Sequence, residues 1–123
     1  MNMEEIKILL VEDEKKIADS LKKGLEELGY EISVACDGNE AWAILQQEHP
    51  PSLLILDWLM PGMDGSQTCY AVRASVEPIR SIPIIATSSL DRRAEALAAG
   101  ASDFVRKPFD IDDFMNRMDA MLS

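Results

Sequence analysis

The chain has 123 residues, of which 47% are hydrophobic and 28% charged, and a formal net charge of -10 at pH 7. That length fits one domain able to bury a core without a disulfide framework or a structural metal. The excess of acid argues against a nucleic-acid backbone or an anionic membrane as direct partner, because both are bound through clustered Lys and Arg. Lys15-Lys16 and Lys22-Lys23 are interleaved with Glu and Asp and read as the solvated face of a helix. No apolar run approaches the ~20 residues needed to cross a bilayer. Met1 to Glu5 carry no charged-then-apolar leader, so a cytoplasmic protein is expected. Cys36 and Cys69 are too few and too isolated for a disulfide framework or a zinc site, and read as reduced thiols.

Ile6 to Val11 is an aliphatic, β-branched run that stops at Glu12-Asp13-Glu14, which predicts a buried strand with acids at its carboxyl end. From Glu14 to Leu28, apolar residues at Ile17, Leu21, Leu25 and Leu28 make a helical stripe that Gly29 stops. Glu31 to Ala35 alternates polar and apolar, as a half-buried strand near a sheet edge does, and Asp37-Gly38 marks a turn. A second helix follows from Asn39 to about Gln47, with Ala41, Trp42 and Leu45 on its apolar face and His49-Pro50-Pro51 ending it.

Leu53-Leu-Ile-Leu-Asp57, bounded by Pro51 and Pro61, predicts a fully buried strand of a parallel sheet that ends on a carboxylate. Pro61 to Gly65 is turn-rich, and Ser66 is placed to cap a third helix running to about Ala74. Ile82 to Ala86 predicts a fourth strand leading into the hydroxyl cluster Thr87-Ser88-Ser89. A short alanine-rich helix from Asp91 to Ala99 closes on Gly100 as C-cap. Phe104 to Arg106 is a brief fifth strand, followed at once by Lys107-Pro108. The last helix, capped by Asp110, places Ile111, Phe114, Met115, Met118 and Leu122 on one core-packing stripe.

Five βα repeats imply an α/β doubly wound fold, a five-stranded parallel sheet with helices on both faces and right-handed crossovers. The flavodoxin-like order 2-1-3-4-5 suits this length, with its switch point between strands one and three, where Glu12, Asp13 and Asp57 converge. Three acids in one crevice repel one another and either raise their pKa values or recruit a cation. Magnesium suits oxygen donors, and beside it a carboxylate is able to attack a phosphoryl group. Lys107 at the end of strand five offers a point charge for the phosphoryl oxygens, and the Thr87-Ser88-Ser89 cluster offers a neutral donor. Singly, each has an ordinary role: helix-start acids at Glu12 and Asp13, a turn former at Asp57, a solvated Lys107, a capping Ser88. Their joint placement at one sheet edge, across four strands, outweighs those roles. His49, with no cysteine or acid pattern beside it, simply terminates a helix.

Val11-Glu-Asp-Glu14, Leu54-Ile-Leu-Asp57 through Met60-Pro61-Gly-Met-Asp-Gly65, Ile82-Pro-Ile-Ile-Ala-Thr-Ser88 and Gly100-Ala-Ser-Asp-Phe-Val-Arg-Lys-Pro-Phe109 together resemble the receiver domains of two-component response regulators. The resemblance covers essentially the whole chain and implies a single receiver domain over residues 1–123. It implies that Asp57 accepts a phosphoryl group from a phosphohistidine on a sensor histidine kinase or phosphotransfer protein. Glu12, Asp13, Asp57 and the backbone carbonyl of Leu59 would bind Mg2+, and Lys107 would pair with the phosphoryl oxygens. Pro108 matches the proline that follows a cis bond, and Phe104 the aromatic that turns inward on activation. Counting from Pro83 puts the switch hydroxyl at Ser88, with Thr87 as the alternative. A downstream protein target and a phosphorylation-dependent homodimer are the further partners implied. Such a domain promotes its own phosphorylation and dephosphorylation without turning over a separate substrate.

Two features depart from the family pattern. The segment from Ser88 to Gly100 is a few residues shorter than usual, which implies a truncated fourth helix or loop on a face receivers commonly use for dimerisation and output. Leu59 and Leu90 stand two residues after Asp57 and Ser88, where polar residues in other members orient an attacking water; apolar side chains imply a slowly hydrolysing aspartyl phosphate. Trp58 reads as a packing or surface residue that gates access. Two rival readings stand beside the switch. One is a haloacid-dehalogenase-like phosphatase or phosphotransferase, which would carry an acid where Leu59 stands; the other is a pseudo-receiver that only binds partners.

Overall fold

The apolar runs become strands covered on both faces, which is why they are continuous rather than alternating. In the computed structural model, which describes residues 6–47, 49–59 and 64–122, the strands are β1 (Lys7–Val11), β2 (Glu31–Ala35), β3 (Leu53–Asp57), β4 (Ile84–Ser88) and β5 (Asp103–Arg106). They alternate with α1 (Lys15–Glu27), α2 (Gly38–Leu45), α3 (Gly65–Arg73), α4 (Arg93–Ala99) and α5 (Ile111–Leu122). Every strand pair is parallel and the order is β2-β1-β3-β4-β5, the flavodoxin-like order read from the sequence.

Alternation along each strand divides the core in two. Leu9, Val11, Leu54, Leu56, Ile84, Ala86 and Phe104 pack with Ala41 and Leu45 of α2, Cys69 and Val72 of α3, and Ala96 and Ala99 of α4. Ile8, Leu10, Leu53, Ile55, Ile85 and Val105 pack with Ala18, Leu21 and Leu25 of α1 and Phe114 and Met118 of α5.

Several local expectations are corrected. Leu28 does not join the α1 stripe: the helix stops at Glu27, so the chain turns before Leu28 comes over the sheet, and Ala18 fills the inner face with Leu21 and Leu25. Ile111 opens α5 at the sheet edge and is exposed, leaving Phe114 and Met118 to the core. The cap of α3 is Asp64, not Ser66, because Asp64 sits in extended backbone one residue before the helix. Its carboxylate accepts from the Gln67 N–H while the Gln67 side chain accepts from the Asp64 N–H, a reciprocal capping box. Trp58 is buried to 1% exposure, a core residue with no surface to gate. Helix α3 starts directly over it: a Cβ on Gly65 would lie 2.6 Å from Trp58 Cα, so only glycine fits. The turn reading at Pro61 to Met63 lies outside the described residues. In β4 the strand begins at Ile84 and takes in Thr87 and Ser88, two residues later than expected.

Helix α4 has only seven residues, consistent with the short segment noted above, and ends on Gly100 at φ +112°, where a side chain would be strained. One guanidinium fastens that end. Arg73, in the last turn of α3, donates Nε–H to the Gly100 carbonyl at 2.8 Å and Nη1–H to the Arg80 and Ile82 carbonyls at 2.7 Å each. Its charge thus faces the carboxyl ends of two helices, where a cation is favoured. Arg73→Ala leaves these carbonyls without their donor and is expected to cost about 2–3 kcal/mol in urea unfolding. Arg73→Lys recovers less than half, because a single ammonium lacks the planar fork. Equal stability of all three proteins would refute this role.

Candidate functional site

Register brings the site together. Leu56 lies opposite Val11, Thr87 opposite Asp57 and Arg106 opposite Ser88, so the carboxyl ends of β1, β3, β4 and β5 finish level. The parallel ladder continues just past the strands: Glu12 N–H donates to the Ala35 carbonyl at 3.0 Å and Lys107 N–H to the Ser88 carbonyl at 2.8 Å. Glu12, Asp13, Asp57, Ser88 and Lys107 are therefore set by backbone geometry at one edge. The Lys107–Pro108 peptide bond is cis.

Glu12, Asp13 and Asp57 each offer a carboxylate oxygen, and these oxygens lie within 4.8 Å of one another. Glu12 and Asp57 are buried while Asp13 is exposed. The Lys107 ammonium donates to Glu12 Oε1 at 2.5 Å and stands 3.6 Å from Asp57 Oδ1, an ion-pair distance rather than a hydrogen bond. Burial first, then the hydrogen bond and charge of Glu12, push the Asp57 carboxyl up to about 7 against the opposing pull of Lys107. Burial works against the Lys107 charge, but the bond to Glu12 and the charges of Asp57 and Glu12 outweigh it and raise its pKa. One cation is too little for three acids. A hard divalent ion fits this donor set of clustered carboxylate oxygens, two of them already desolvated.

The site opens into a cavity of about 700 Å³ whose polar end is lined by Asp13, Asp57, Ser88 and Lys107. Ser88 Oγ accepts from the Leu90 N–H at 3.1 Å, which leaves its own proton free to donate. Strand alternation puts Thr87, opposite Asp57, on the α1–α5 side, yet Ser88 lines the cavity and Thr87 does not. The cavity sits over the strand ends rather than on a face, and the last residue of β4 overhangs it. Leu59 lines the cavity; Leu90, 47% exposed, does not. Phe104 is buried among the residues under α4.

The far end of the cavity was not anticipated. Lys16, Ile17, Ser20 and Leu21 of α1 face Phe109 and Ile111 across it. Phe109 stacks on Phe114 with ring centroids 4.8 Å apart and 18° between planes. The half-buried Ile17 and the exposed Ile111, apolar residues at the edge of their helical stripes, were the available signal. The Glu12–Lys107 bond joins residues 95 apart in the chain, beyond any local pattern.

Comparison with known proteins agrees with this geometry. The response regulator receiver domain model matches residues 8–119. The phosphate regulon transcriptional regulatory protein PhoB of Rhizobium meliloti is 42% identical over 119 residues, covering 94% of this chain and 52% of that protein. A putative response regulator from Chloroflexus aurantiacus superimposes with a TM-score of 0.87 at 30% identity, covering 95% of this chain and 97% of the other. The signal receiver domain of a signal transduction histidine kinase from Syntrophus aciditrophicus gives 0.86 at 34% identity, with 94% and 89% covered. The chain spans about half the length of the curated relatives it matches. Among the described residues no helix is long and apolar enough to cross a membrane. A match over nearly the whole sequence, the strand order and an acidic crevice at the β1–β3 switch point lead to one conclusion: the chain belongs to the response regulator receiver domain family, the phosphoacceptor switches of two-component signalling.

Proposed function

We propose that Asp57 is the phosphoacceptor, taking its phosphoryl group from a phosphohistidine of a sensor histidine kinase or phosphotransfer protein. The observation that carries this reading is the buried Asp57 carboxylate at a sheet edge, with two acids on one side and Lys107 and Ser88 on the other. Asp57 supplies the attacking oxygen. Lys107 neutralises charge on the phosphoryl oxygens and Ser88 Oγ–H donates to one of them. Asp13 and Asp57, with Glu12 beside them and the Leu59 carbonyl within the same loop, would hold Mg2+, which supplies charge neutralisation during transfer. Leu59 at the mouth offers water no hydrogen bond, which supports a long-lived aspartyl phosphate.

Residues 1–123 act here as one receiver unit, cytoplasmic, without a separate substrate to turn over. A charge of -10 favours protein partners, including a downstream target and a phosphorylation-dependent second copy, over direct nucleic-acid contact. Coupling to the α4 face runs through Ser88, with its bond to the Leu90 N–H, and through Phe104, which lies buried under α4.

Intact mass after incubation with acetyl phosphate tests the assignment. One added phosphoryl group that requires both Mg2+ and Asp57 is expected, and Asp57→Asn gains none; an adduct on Asp57→Asn contradicts it. Followed after donor removal, the adduct decays slowly and Leu59→Asn shortens its life. Ser88→Ala removes the phosphorylation-induced change in hydrogen exchange of the α4 amides while Thr87→Ala keeps it; the reverse result transfers the role to Thr87.

The raised Asp57 pKa also sets a pH dependence. Below the ordinary carboxyl value of 3.8 the group is neutral folded or unfolded; as pH rises toward its folded value of about 7, the unfolded chain ionises first and stability is lost. Asp57→Asn is therefore expected to raise the melting temperature of the metal-free protein by about 5 °C near pH 8, with the gain vanishing near pH 4. Calorimetry showing no pH dependence in the difference would contradict it.

A further inference from the structure

Glu12 carries more internal bonds than a free metal ligand would. Its side chain is almost wholly buried, and both oxygens are engaged: Oε1 accepts from the Lys107 ammonium at 2.5 Å and Oε2 from the Glu14 N–H at 3.2 Å. Asp13, by contrast, is exposed, with its carboxylate among the clustered acids beside Asp57. The sheet order makes the contact to Lys107 a long reach. Lys107 follows β5 and Glu12 follows β1, with β3 and β4 between them, so the side chain lies across the strand that ends at Asp57.

We propose that Glu12 is a positioning residue for Lys107: it holds the ammonium stretched over the sheet edge beside Asp57, and leaves Asp13 and Asp57 to ligate the divalent ion. The proposal rests on the phosphoacceptor reading above. A lysine side chain has several rotatable bonds, and ordering it when the phosphoryl group arrives would oppose binding. Held by Glu12, it is ordered beforehand. Its three N–H groups allow it to keep one bond to Glu12 while donating others to phosphoryl oxygens, and Asp57 Oδ1 at 3.6 Å marks where those oxygens would attach.

A double-mutant cycle at saturating Mg2+ tests this, with affinity for beryllofluoride, read by Trp fluorescence or calorimetry, as the observable. Glu12→Ala is expected to weaken beryllofluoride binding roughly tenfold when Lys107 is present and to have no further effect in Lys107→Ala. Glu12→Gln, which keeps an oxygen for the ammonium, recovers most of the loss. Additive effects of Glu12→Ala and Lys107→Ala would overturn the proposal, as would loss of Mg2+ binding in Glu12→Gln as complete as in Asp13→Asn. Amide spectra of each variant confirm the fold. Failure of the native chain to bind beryllofluoride at all, or undiminished binding by Asp57→Asn, would overturn the phosphoacceptor reading itself and is separately visible.

Discussion

Three carboxylates and one ammonium at the carboxyl edge of a parallel sheet form the unit on which the rest depends. Burial makes the Asp57 charge costly, Glu12 makes it costlier, and Lys107 relieves only part. A fold that carries such an imbalance at its switch point is poised to gain from a divalent cation and from a phosphoryl group, because each brings what the resting site lacks. The sheet supplies rigidity for this: Asp57 ends β3, Glu12 and Lys107 follow directly on β1 and β5, and the ladder continues through both of them, with Asp13 next to Glu12. Loops of ordinary mobility would let the acids drift apart.

The same edge is linked to α4 by one short connection, and a second tie fastens α4 at the opposite end of the sheet. Ser88 holds the Leu90 N–H at one end of the segment, and Arg73 holds the Gly100 carbonyl at the other. Seven residues of helix lie between these ties. On the proposed phosphoacceptor reading, a shift of Ser88 toward the phosphoryl group would be transmitted to a small element fastened at its far end, which suits a two-state change in surface rather than a diffuse one.

Most of the frame was legible because it is written in local pattern. Aliphatic runs closed by acids or hydroxyls gave the strands, and the βα repeat gave the sheet order and hence the meeting of Glu12, Asp13 and Asp57. Ends of elements were less legible. Leu28 and Ile111 fit their helical stripes by spacing but fall where the helix has left the sheet, and Asp64 outcompetes Ser66 as cap because Gln67 lies three residues after it and reciprocates. Trp58 could be read as packing or as a surface gate beside Asp57, and the strand's alternation decides for packing by turning it into the core under Gly65. The bond between Glu12 and Lys107 and the three carbonyls that Arg73 binds have no local signature at all, since they depend on where distant backbone carbonyls and side chains arrive in space.

The imbalance of charge at Asp57 is open to direct measurement by carboxyl carbon NMR across pH, with and without Mg2+. In the metal-free protein the Asp57 carboxyl is expected to titrate near 7, well above the ordinary 3.8, and saturating Mg2+ is expected to bring its midpoint down sharply. A midpoint in the ordinary carboxylate range without metal, unchanged when Mg2+ is added, would contradict the view that this edge is built around an unneutralised carboxylate.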